Sequence, residues 1–559
     1  MTGLLSCESA RVRSMARARN APVTLNRRDA FAALGSETFD ILIVGGGVTG
    51  AYCAFDAALR GYRVALVEKD DFASGTSSKS SKMVHGGLRY IEQGNLGLVA
   101  HALLERQRFR RNARHLVQRL PFLFPVSASG GVFDPRLARA FDGLLWTYDL
   151  AGGWREGILH KRIDPAAVLA HCPTLKPETL RGGLLYYDGR VDDARLTLCL
   201  IRSAAALGAV VLNRARVAEL SRYRSGRVDG AIVRTDEGRE IRVRARSVVM
   251  ATGIWLRDWK GTCDDTPALQ VRPAKGVHVA VPWMKIRNDC TLTIPMRGTK
   301  RRASITRWGD VSYIGTSDTD YTGDLDDIRC NRDEMLALLE GASDSLNVTL
   351  SADDVVGTIA GCRPLVASGH EGNTVDVSRD HTVHTGRDGV VTIVGGKMTT
   401  SRHMAEQTID AVGRILGRRR PCHTRHSYLL GAAGYDPQAT LATGGMAAHL
   451  AERYGMEACF VSDLMAADAG LSAPLVEGLP YTRAEAVFAL RHEMAMSVDD
   501  ILSRRTRARF MARDASAKAA EAVGEIVARE RALAPEVIRA QVADYRADIA
   551  REKAALQEG

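Results

Sequence analysis

Apolar, β-branched runs that end at glycine-marked turns dominate the first part of the chain. Asp40-Ile41-Leu42-Ile43-Val44 stops at a glycine cluster, which is typical of a strand buried on both faces of a parallel sheet. A helix is predicted from near Val48, and residues 63–67 predict a second strand that ends at Glu68. The hydrophobic pattern therefore indicates a β-α-β unit at this point of the chain.

The turn inside this unit carries the pattern G-x-G-x-x-G, formed by Gly45, Gly47 and Gly50. In a dinucleotide site the first glycine allows the turn, the second lets backbone approach a pyrophosphate, and the third lets the helix pack on the strand. Glu68 is placed to accept both ribose hydroxyls of an adenosine. The alternative is a unit without a ligand, with Glu68 in solvent. Spacing, strand, helix and acid together favour a dinucleotide.

Short β-rich runs separated by turn residues fill residues 271–354. Two of them, Val277–Val281 and Val311–Gly315, predict an antiparallel sheet that carries the substrate site. The chain then returns to the first unit at 361–365 and 394–400. Glycines in the second of these stretches precede a predicted helix, which suits backbone donation to a cofactor.

Helical patterns follow a glycine-marked linker that begins near Pro421. Residues 483–492 and the alanine-rich run 515–529 predict helices. At 559 residues the chain exceeds what one hydrophobic core supports, so we expect two or three domains.

The charge balance is basic, with a formal net charge of +11 and a pI near 9.2. This favours anionic small molecules or an anionic surface as partners. Arginine is dense in residues 101–119 and 502–513, and we interpret both as solvated helix faces. Attraction to acidic lipid head groups is the alternative. Nucleic acid is not expected, because we find no recognised binding motif and no interleaved aromatics.

Ten cysteines are scattered without a C-x-x-C pair. This spacing indicates a reducing compartment and argues against a zinc site or a redox disulfide. No apolar run approaches the length that spans a bilayer. Residues 1–38 precede the first strand, are rich in arginine, and weakly resemble a transit peptide. We expect them to form a disordered or surface-wrapping extension that is dispensable for the fold.

The stretch SGTSSKSSKMVHGGLRYIEQGN, residues 74–95, resembles the signature of FAD-dependent glycerol-3-phosphate dehydrogenases, respiratory flavoproteins that feed electrons to quinone. The resemblance continues almost to the end of the chain. Further matching segments are D-x-x-V-D-D-A-R-L at 188–196, the apolar strand and A-T-G turn at 248–255, K-G-V-H at 275–278, G-T-S-D at 315–318 and ALRHEMAMSVDDILSRRTRARF at 489–510. Within the last of these, we interpret Arg504 and Arg505 as structural ion-pair formers.

The resemblance implies a fold class of α/β plus α. A Rossmann-like FAD-binding domain, of the glutathione-reductase or D-amino-acid-oxidase type, is interleaved with an antiparallel β substrate domain and followed by a C-terminal helical domain. The implied boundaries are 39–95, 185–270 and 355–415 for the FAD domain, 96–184 and 271–354 for the substrate domain, and 425–559 for the helical domain.

The same resemblance implies a set of site residues. The substrate would be bound by Arg89, Tyr90, Arg363 and Lys397. The cofactor would be bound by Gly45, Gly47, Gly50, Glu68, Thr76, Ser77, Ser81, Lys82, Met83, Val217, Gly253, Gly396 and Thr399. His85 and His278 are candidate bases because histidine accepts protons near neutral pH. Arg363 is a third catalytic candidate, and the sequence does not rank these three.

A single dinucleotide fingerprint means that the organic substrate itself is the reductant. The implied reaction converts sn-glycerol 3-phosphate to dihydroxyacetone phosphate by hydride transfer from C2 to N5 of FAD, and a quinone takes the electrons. We expect a homodimer without a metal, peripherally attached to the inner, cytoplasmic face of the cell membrane. The sequence departs from the family at 285–310, where Lys300-Arg301-Arg302 adds charge. The resemblance therefore does not define the local sheet edge or the rim of the pocket.

Three alternatives stay open at the sequence level. An oxidase of the same family would pass electrons to oxygen and carry the same glycine motifs. An FAD-dependent RNA-modifying protein would fit the basic pI and would bind RNA with steep salt dependence. A non-catalytic flavin-binding module would have no use for the arginine and lysine set.

Overall fold

The structure is a computed structural model, and it describes residues 21–88, 95–127, 135–259, 269–297, 301–366 and 380–558. Strands and helices are numbered in chain order within those ranges. The strands are β1 Thr38–Val44, β2 Val64–Val67, β3 Met83–Val84, β4 Val117–Ser127, β5 Lys161–Ile163, β6 Leu180–Val191, β7 Val210–Leu212, β8 Ala215–Arg222, β9 Val228–Thr235, β10 Glu240–Met250, β11 Val271–Pro282, β12 Thr291–Pro295, β13 Arg302–Trp308, β14 Val311–Gly315, β15 Thr319–Asp320, β16 Gly357–Val366, β17 His381–Thr385 and β18 Val390–Gly395.

The helices alternate with the strands until β18 and then follow one another to the C-terminal end. They are α1 Arg27–Ser36, α2 Val48–Leu59, α3 Leu96–Asn112, α4 Pro135–Leu150, α5 Pro165–His171, α6 Asp193–Ala206, α7 Trp283–Ile286, α8 Arg332–Ser345, α9 Ser401–Ile415, α10 Pro437–Thr443, α11 Gly445–Tyr454, α12 Ala458–Ala467, α13 Arg483–His492, α14 Ala508–Met511, α15 Arg513–Arg531 and α16 Pro535–Ala555. A π-helical turn at Asp500–Arg505 precedes α14.

The first sheet has the strand order β17-β18-β10-β1-β2-β7, with β9 and β8 continuing from β10. The strands β18, β10, β1, β2 and β7 run parallel, and β1 and β2 are almost wholly buried. Burial on both faces explains why their sequences read as unbroken apolar runs. The predicted β-α-β unit is confirmed, since α2 begins at Val48.

The second sheet has the order β15-β11-β14-β13-β12-β4-β6-β3, with β16 on β11 and β5 on β6. Its pairs are antiparallel except for β12 with β4. The predicted antiparallel sheet in residues 271–354 is therefore confirmed. β3, β6 and β16 also join this sheet, so each of the three stretches assigned to the FAD domain contributes a strand to it. The domain boundaries stay predictions.

Both predicted C-terminal helices are present, as α13 and within α15. Buried ion pairs join this helical part to the loop after β2 and to α6, which both lie beside the first sheet. Asp71, in the loop after β2, accepts from both Arg504 and Arg505 at 2.7 Å, and Arg202 of α6 pairs with Glu457 at 2.6 Å. The structural role predicted for Arg504 and Arg505 is thus confirmed.

The interpretation of residues 502–513 as a solvated helix face is wrong. Arg505, Arg507 and Arg513 are buried, and Arg507 reaches Asp192 at 2.7 Å. The sequence pattern shows a run of charge but not its partners, and here the partners are acids that lie far away along the chain.

Residues 21–38 are ordered, and a disordered extension is wrong for that part. α1 begins after Asn26, whose side chain accepts from the N–H groups of Arg28 and Asp29. Leu34 in this helix is fully buried, and β1 begins at Thr38. Residues 1–20 lie outside the described residues.

Candidate functional site

A main cavity of about 570 Å³ lies between the two sheets. On one side it is bounded by residues that follow the carboxyl ends of the parallel strands β1, β2, β10 and β18. Residues of β11 and β16 bound it on the other side. Ligands of α/β sheets bind at this edge of the strands, so the topology marks the cavity as the candidate site.

The glycines after β1 occupy positions where a Cβ atom would lie too close to neighbouring atoms. Gly45 has φ +112°, and a Cβ at this position would lie 2.5 Å from the carbonyl oxygen of Ala251. A Cβ on Gly47 would approach Oγ of Ser77 to 3.0 Å, and one on Gly50 would meet the carbonyl oxygen of Gly45 at 2.0 Å. Gly45 and Gly47 line the cavity, whereas Gly50 packs α2 on β1 and does not. The three positions therefore have the backbone roles that a dinucleotide turn requires.

Glu68 follows β2 and lines the main cavity. Its carboxylate accepts from the N–H groups of Gly46 at 2.6 Å and Asp70 at 2.9 Å. Burial raises the pKa of this carboxyl to about 7, although the two N–H donors oppose the shift. The side chain is thus fixed beside the glycine turn, where an adenosine ribose would lie.

The hydroxyl-rich stretch predicted to bind the cofactor forms one wall. Thr76, Ser77, Ser81 and Met83 all line the main cavity. Ser77 accepts from the N–H of Val48 at 2.8 Å, at the start of α2. The Thr76 hydroxyl donates to the carbonyl of Cys362 at 2.6 Å, which ties the stretch to β16.

Lys82 belongs to the same predicted set but does not line the cavity. It is buried, and its ammonium pairs with Asp193 at 3.2 Å and donates to the carbonyl of Ser78. Burial lowers its pKa to about 8 despite the attraction of Asp193. The structure therefore gives Lys82 a packing role behind the hydroxyl-rich stretch.

The remaining predicted cofactor residues arrive from distant segments. Val217, Gly253, Gly396 and Thr399 all line the main cavity. Gly396 has φ +74°, and a Cβ there would lie 2.5 Å from the sulfur of Met404. Another residue at this position would be strained by the positive φ and would push the Met404 side chain aside.

The second sheet contributes His278 and Arg363, which lie on the paired strands β11 and β16. Nε2 of His278 lies 3.1 Å from Oγ of Ser81. Burial, together with the positive charges of Lys82 and Arg363, lowers the pKa of the imidazole to about 3. The ring is therefore neutral near physiological pH and can act as a hydrogen-bond acceptor or as a weak base.

Arg363 is held at the cavity wall by the loop that follows β14. Its guanidinium donates to Oγ1 of Thr316 at 3.1 Å and pairs with Asp318 at 3.4 Å. It lies over Gly276, where a Cβ would come within 2.8 Å of both terminal nitrogens. The glycine in K-G-V-H therefore leaves room for the guanidinium.

His85 and Lys397 line the main cavity as well. The N–H of His85 donates to Oγ1 of Thr399 at 3.2 Å, which joins the end of β3 to the turn before α9. His85, His278, Arg363 and Lys397 thus come together at one cavity from four separate segments. Arg89 and Tyr90 lie outside the described residues.

Several lining residues were missed by sequence reasoning. Thr316 fixes Arg363, and the ring of Trp255 covers Gly75, where a Cβ would approach it to 2.7 Å. Lys69 lies 4.4 Å from the centre of the Trp255 ring, a cation–π contact. Both Thr316 and Trp255 lie in segments that match the family, but nothing in the sequence shows that they face the cavity.

Two family models match the chain. The model described as FAD dependent oxidoreductase matches residues 40–402. The model described as the C-terminal domain of alpha-glycerophosphate oxidase matches residues 422–536. Together they cover both sheets and most of the helical part.

Curated relatives match over almost the whole chain. Glycerol-3-phosphate dehydrogenase 2 of Mycobacterium tuberculosis is 39% identical over 538 residues, which cover 94% of this chain and 90% of the relative. A mitochondrial glycerol-3-phosphate dehydrogenase of Arabidopsis thaliana is 36% identical over 536 residues, covering 89% of this chain and 84% of the relative.

Solved structures share the fold. The glycerol-3-phosphate dehydrogenase of Bacillus halodurans, complexed with FAD, superposes with a TM-score of 0.75 at 27% identity and covers 95% of this chain and 98% of its own. L-alpha-glycerophosphate oxidase of Mycoplasma pneumoniae, with FAD bound, has a TM-score of 0.54 at 16% identity over 70% of this chain and 98% of its own. The second likeness shows the fold alone.

Proposed function

The chain belongs to the family of FAD-dependent glycerol-3-phosphate dehydrogenases, and from this membership we propose that it oxidises sn-glycerol 3-phosphate to dihydroxyacetone phosphate and passes the electrons to a quinone. The observation that carries the proposal is the composition of the main cavity. A glycine turn and a buried acid lie on one side, and His278 and Arg363 lie on the other. This arrangement suits a dinucleotide facing a small anionic substrate.

FAD is the cofactor, and the cavity fits it. The crowded glycines leave backbone accessible where the pyrophosphate would lie, and Glu68 ends β2 where a ribose would lie. Bound FAD would supply the hydride acceptor of the reaction, at N5. Thr76, Ser77 and Thr399 would hold the cofactor from the hydroxyl-rich stretch and from the turn before α9.

The substrate's phosphate would be bound by cationic side chains from both sides of the cavity, Arg363 on β16 and Lys397 in the turn after β18. Arg363 offers a planar fork of donors, and Lys397 adds a second positive charge. Because both line a cavity that is partly withdrawn from water, their hydrogen bonds to a dianion are stronger than at an open surface. We assign Arg89 and Tyr90 to the same role on the family pattern alone.

One proton must leave the C2 hydroxyl as its hydrogen leaves as hydride. His278 is neutral and can accept a proton, but its low pKa makes it a weak base. His85 lines the same cavity, and Arg363 can orient the hydroxyl without accepting the proton. We therefore propose that His85 is the base that accepts the hydroxyl proton. The N–H of the neutral His278 ring would donate to the hydroxyl oxygen and orient it.

A lipid surface is the proposed location of the enzyme, because the quinone resides there. Five large apolar side chains stand exposed within fourteen residues: Trp146, Leu150, Trp154, Ile158 and Leu159. The flanking Lys161 and Arg162 are exposed and basic. Aromatic and aliphatic side chains beside basic ones suit the interface of an anionic bilayer, and we propose the inner face of the cell membrane. The homodimer stays a prediction.

None of the described helices is both long and apolar enough to cross a bilayer.

The acceptor is tested by steady-state turnover of purified holoenzyme with glycerol 3-phosphate. We expect reduction of a soluble quinone to be much faster than reduction of oxygen, with dihydroxyacetone phosphate formed in equal amount. Stoichiometric peroxide at the quinone rate would instead identify an oxidase. Lactate and glycerol serve as controls, since they lack the phosphate that Arg363 and Lys397 would bind.

A further inference from the structure

The backbone of His85 is held by a hydrogen bond on each side of its Cα atom. Its own N–H donates to Oγ1 of Thr399 at 3.2 Å, in the turn before α9. The next N–H of the chain, that of Gly86, donates to the hydroxyl oxygen of Tyr148 on α4 at 3.0 Å. The peptide groups before and after His85 are therefore fixed from two different parts of the fold.

The Tyr148 hydroxyl is itself fixed by a buried ion pair. It donates to the Asp188 carboxylate at 2.6 Å, and Arg106 of α3 pairs with the same carboxylate. Arg106 also donates to the carbonyl of Tyr187 at 2.9 Å. The side chains of Tyr148, Asp188 and Arg106 are all buried, where hydrogen bonds are stronger than in water. Because the hydroxyl proton is directed at Asp188, an oxygen lone pair remains for the N–H of Gly86.

The hydroxyl keeps its proton near neutral pH. Burial and the negative charge of Asp188 raise the pKa of Tyr148 well above its ordinary value. The ring packs in an apolar cluster with Leu103, Phe124 and Leu145, and a phenylalanine would fill the same space. What the hydroxyl adds is the link between Asp188 and the N–H of Gly86.

The turn after β3 lies directly against this hydroxyl. A Cβ at Gly86 would come within 2.6 Å of the Tyr148 hydroxyl oxygen and of Cδ2 of Leu103. β3 pairs with β6, with Val84 opposite Gly189, so the turn begins beside Asp188. The close approach and the strand pairing together leave the peptide between His85 and Gly86 little freedom to move.

We propose that Tyr148 is a positioning residue of the reaction: its hydroxyl, oriented by Asp188 and Arg106, fixes the peptide after His85 and so sets the direction in which the His85 side chain enters the main cavity. The inference rests on the proposed function, in which His85 accepts the proton of the substrate hydroxyl. None of Tyr148, Asp188 and Arg106 is among the described residues that line the main cavity, so Tyr148 acts through His85.

Accurate placement of the base matters to the rate. A general base must lie within hydrogen-bond reach of the proton that it accepts. A misplacement of about 1 Å can lower the rate by about 10²-fold. Loss of the Tyr148 hydroxyl should therefore slow the reaction while the affinity for the substrate stays the same.

The test is a double-variant cycle on the holoenzyme, with Tyr148→Phe, His85→Gln and the two changes combined. Tyr545→Phe is the matched control, because Tyr545 is a buried tyrosine of α16 whose hydroxyl lies 2.8 Å from that of Ser516. Flavin content and the thermal midpoint are measured for each protein. Anaerobic stopped flow then gives the rate at which saturating glycerol 3-phosphate bleaches the flavin, and the concentration that gives half of that rate. These two quantities separate the chemical step from substrate binding.

Tyr148→Phe should retain FAD and bleach roughly 10- to 100-fold more slowly at saturation, with a nearly unchanged half-saturating concentration. In the His85→Gln background the same change should have little further effect, because the residue through which it acts is gone. Tyr545→Phe should bleach at the wild-type rate, even where its thermal midpoint falls as much as that of Tyr148→Phe.

Equal losses from Tyr148→Phe in the wild-type and His85→Gln backgrounds would overturn the proposal, since the hydroxyl would then act independently of His85. So would a wild-type rate in Tyr148→Phe. A Tyr148→Phe protein without FAD would also overturn it, because the hydroxyl would then support the cofactor site as a whole. If His85→Gln keeps the wild-type rate, the assignment of the base fails and this proposal fails with it, whereas a wild type that is not bleached contradicts the proposed function itself.

Discussion

The two sheets contribute to the main cavity by different means. The first sheet offers mainly backbone, since its turns after β1 and β18 hold glycines at which a Cβ would collide with neighbouring atoms. The second sheet offers side chains, with His278 on β11 and Arg363 on β16 fixed by Ser81 and Thr316. A cofactor common to many enzymes is held by geometry, whereas a particular substrate is selected by charge and hydrogen bonding.

This difference predicts separable failures. Damage to the first sheet's turns should remove FAD and, with it, all activity. Damage to the second sheet should leave a yellow protein that no longer recognises glycerol 3-phosphate. The following changes test that separation, beginning with the largest expected effect.

Gly45→Ala should abolish activity through loss of the cofactor. The new Cβ would lie 2.5 Å from a carbonyl oxygen, at a φ of +112° that L-residues avoid. We expect the purified protein to be almost free of flavin, with unchanged far-UV circular dichroism. Gly143→Ala is the matched control, because a Cβ there meets nothing within 4 Å. Full flavin content in Gly45→Ala would contradict the backbone role of this turn.

Arg363→Met should retain FAD and lose most turnover. Removing one partner of a desolvated charge pair costs about 2–5 kcal/mol, so kcat/KM should fall by roughly 30- to 5,000-fold. Flavin content and steady-state kinetics are the measurements. Arg272→Met is the control on the same sheet, since Arg272 pairs with Asp320 away from the cavity. A comparable loss in Arg272→Met would show that the effect is structural.

The pH profile tells the two histidines apart. Because burial lowers the pKa of His278 to about 3, this ring stays neutral throughout the physiological range. If His278 were the base, kcat/KM should not fall until the pH approaches that value. A fall centred near the ordinary histidine pKa of roughly 6.5 that persists in His278→Gln and vanishes in His85→Gln would identify His85.

The same shift affects stability. The unfolded chain binds a proton at His278 near the ordinary pKa, whereas the folded protein resists it until about 3. The neutral ring's contribution is complete above pH roughly 6.5 and declines as the pH falls towards about 3, by at most about 1.4 kcal/mol per pH unit. His278→Gln should flatten the acid side of the unfolding free energy, measured with urea. If the free energy of unfolding depends on pH equally in His278→Gln and in the wild type, the His278 ring is exposed to water in the folded protein, contrary to this account.

The smallest effect on turnover is expected at the exposed apolar surface around Trp154. This surface lies away from the glycine turns and the charged side chains that line the main cavity. Leu150→Asp with Trp154→Asp should weaken flotation with anionic vesicles, because each change removes apolar area and adds repulsion. Turnover with a soluble quinone should stay within about twofold, since surface changes rarely disturb a core. Tyr223→Asp, another exposed aromatic, is the control. Unaltered flotation of the double variant would move the lipid contact elsewhere.

The two sheets also differ in how much of their structure could be predicted from the sequence. The glycine spacing and the apolar runs predicted β1, α2, β2 and the position of Glu68 at the end of β2. They could do so because backbone geometry constrains residue type locally. Arg363 contacts residues 45 and 47 positions away, and Arg507 pairs with Asp192, 315 positions away. No local pattern shows either set of contacts. Lys82 illustrates the limit: its neighbours in sequence line the cavity, yet its own partner, Asp193, turns it inward.

The most direct test of the central claim is an anaerobic titration of the holoenzyme followed by flavin absorbance. Glycerol 3-phosphate should bleach the oxidised flavin fully, while glycerol, lactate and a D-amino acid should leave it unchanged. Arg363→Met should bleach only at much higher substrate concentration. A protein that carries FAD but keeps its oxidised spectrum with glycerol 3-phosphate would contradict the account and direct attention to another reductant.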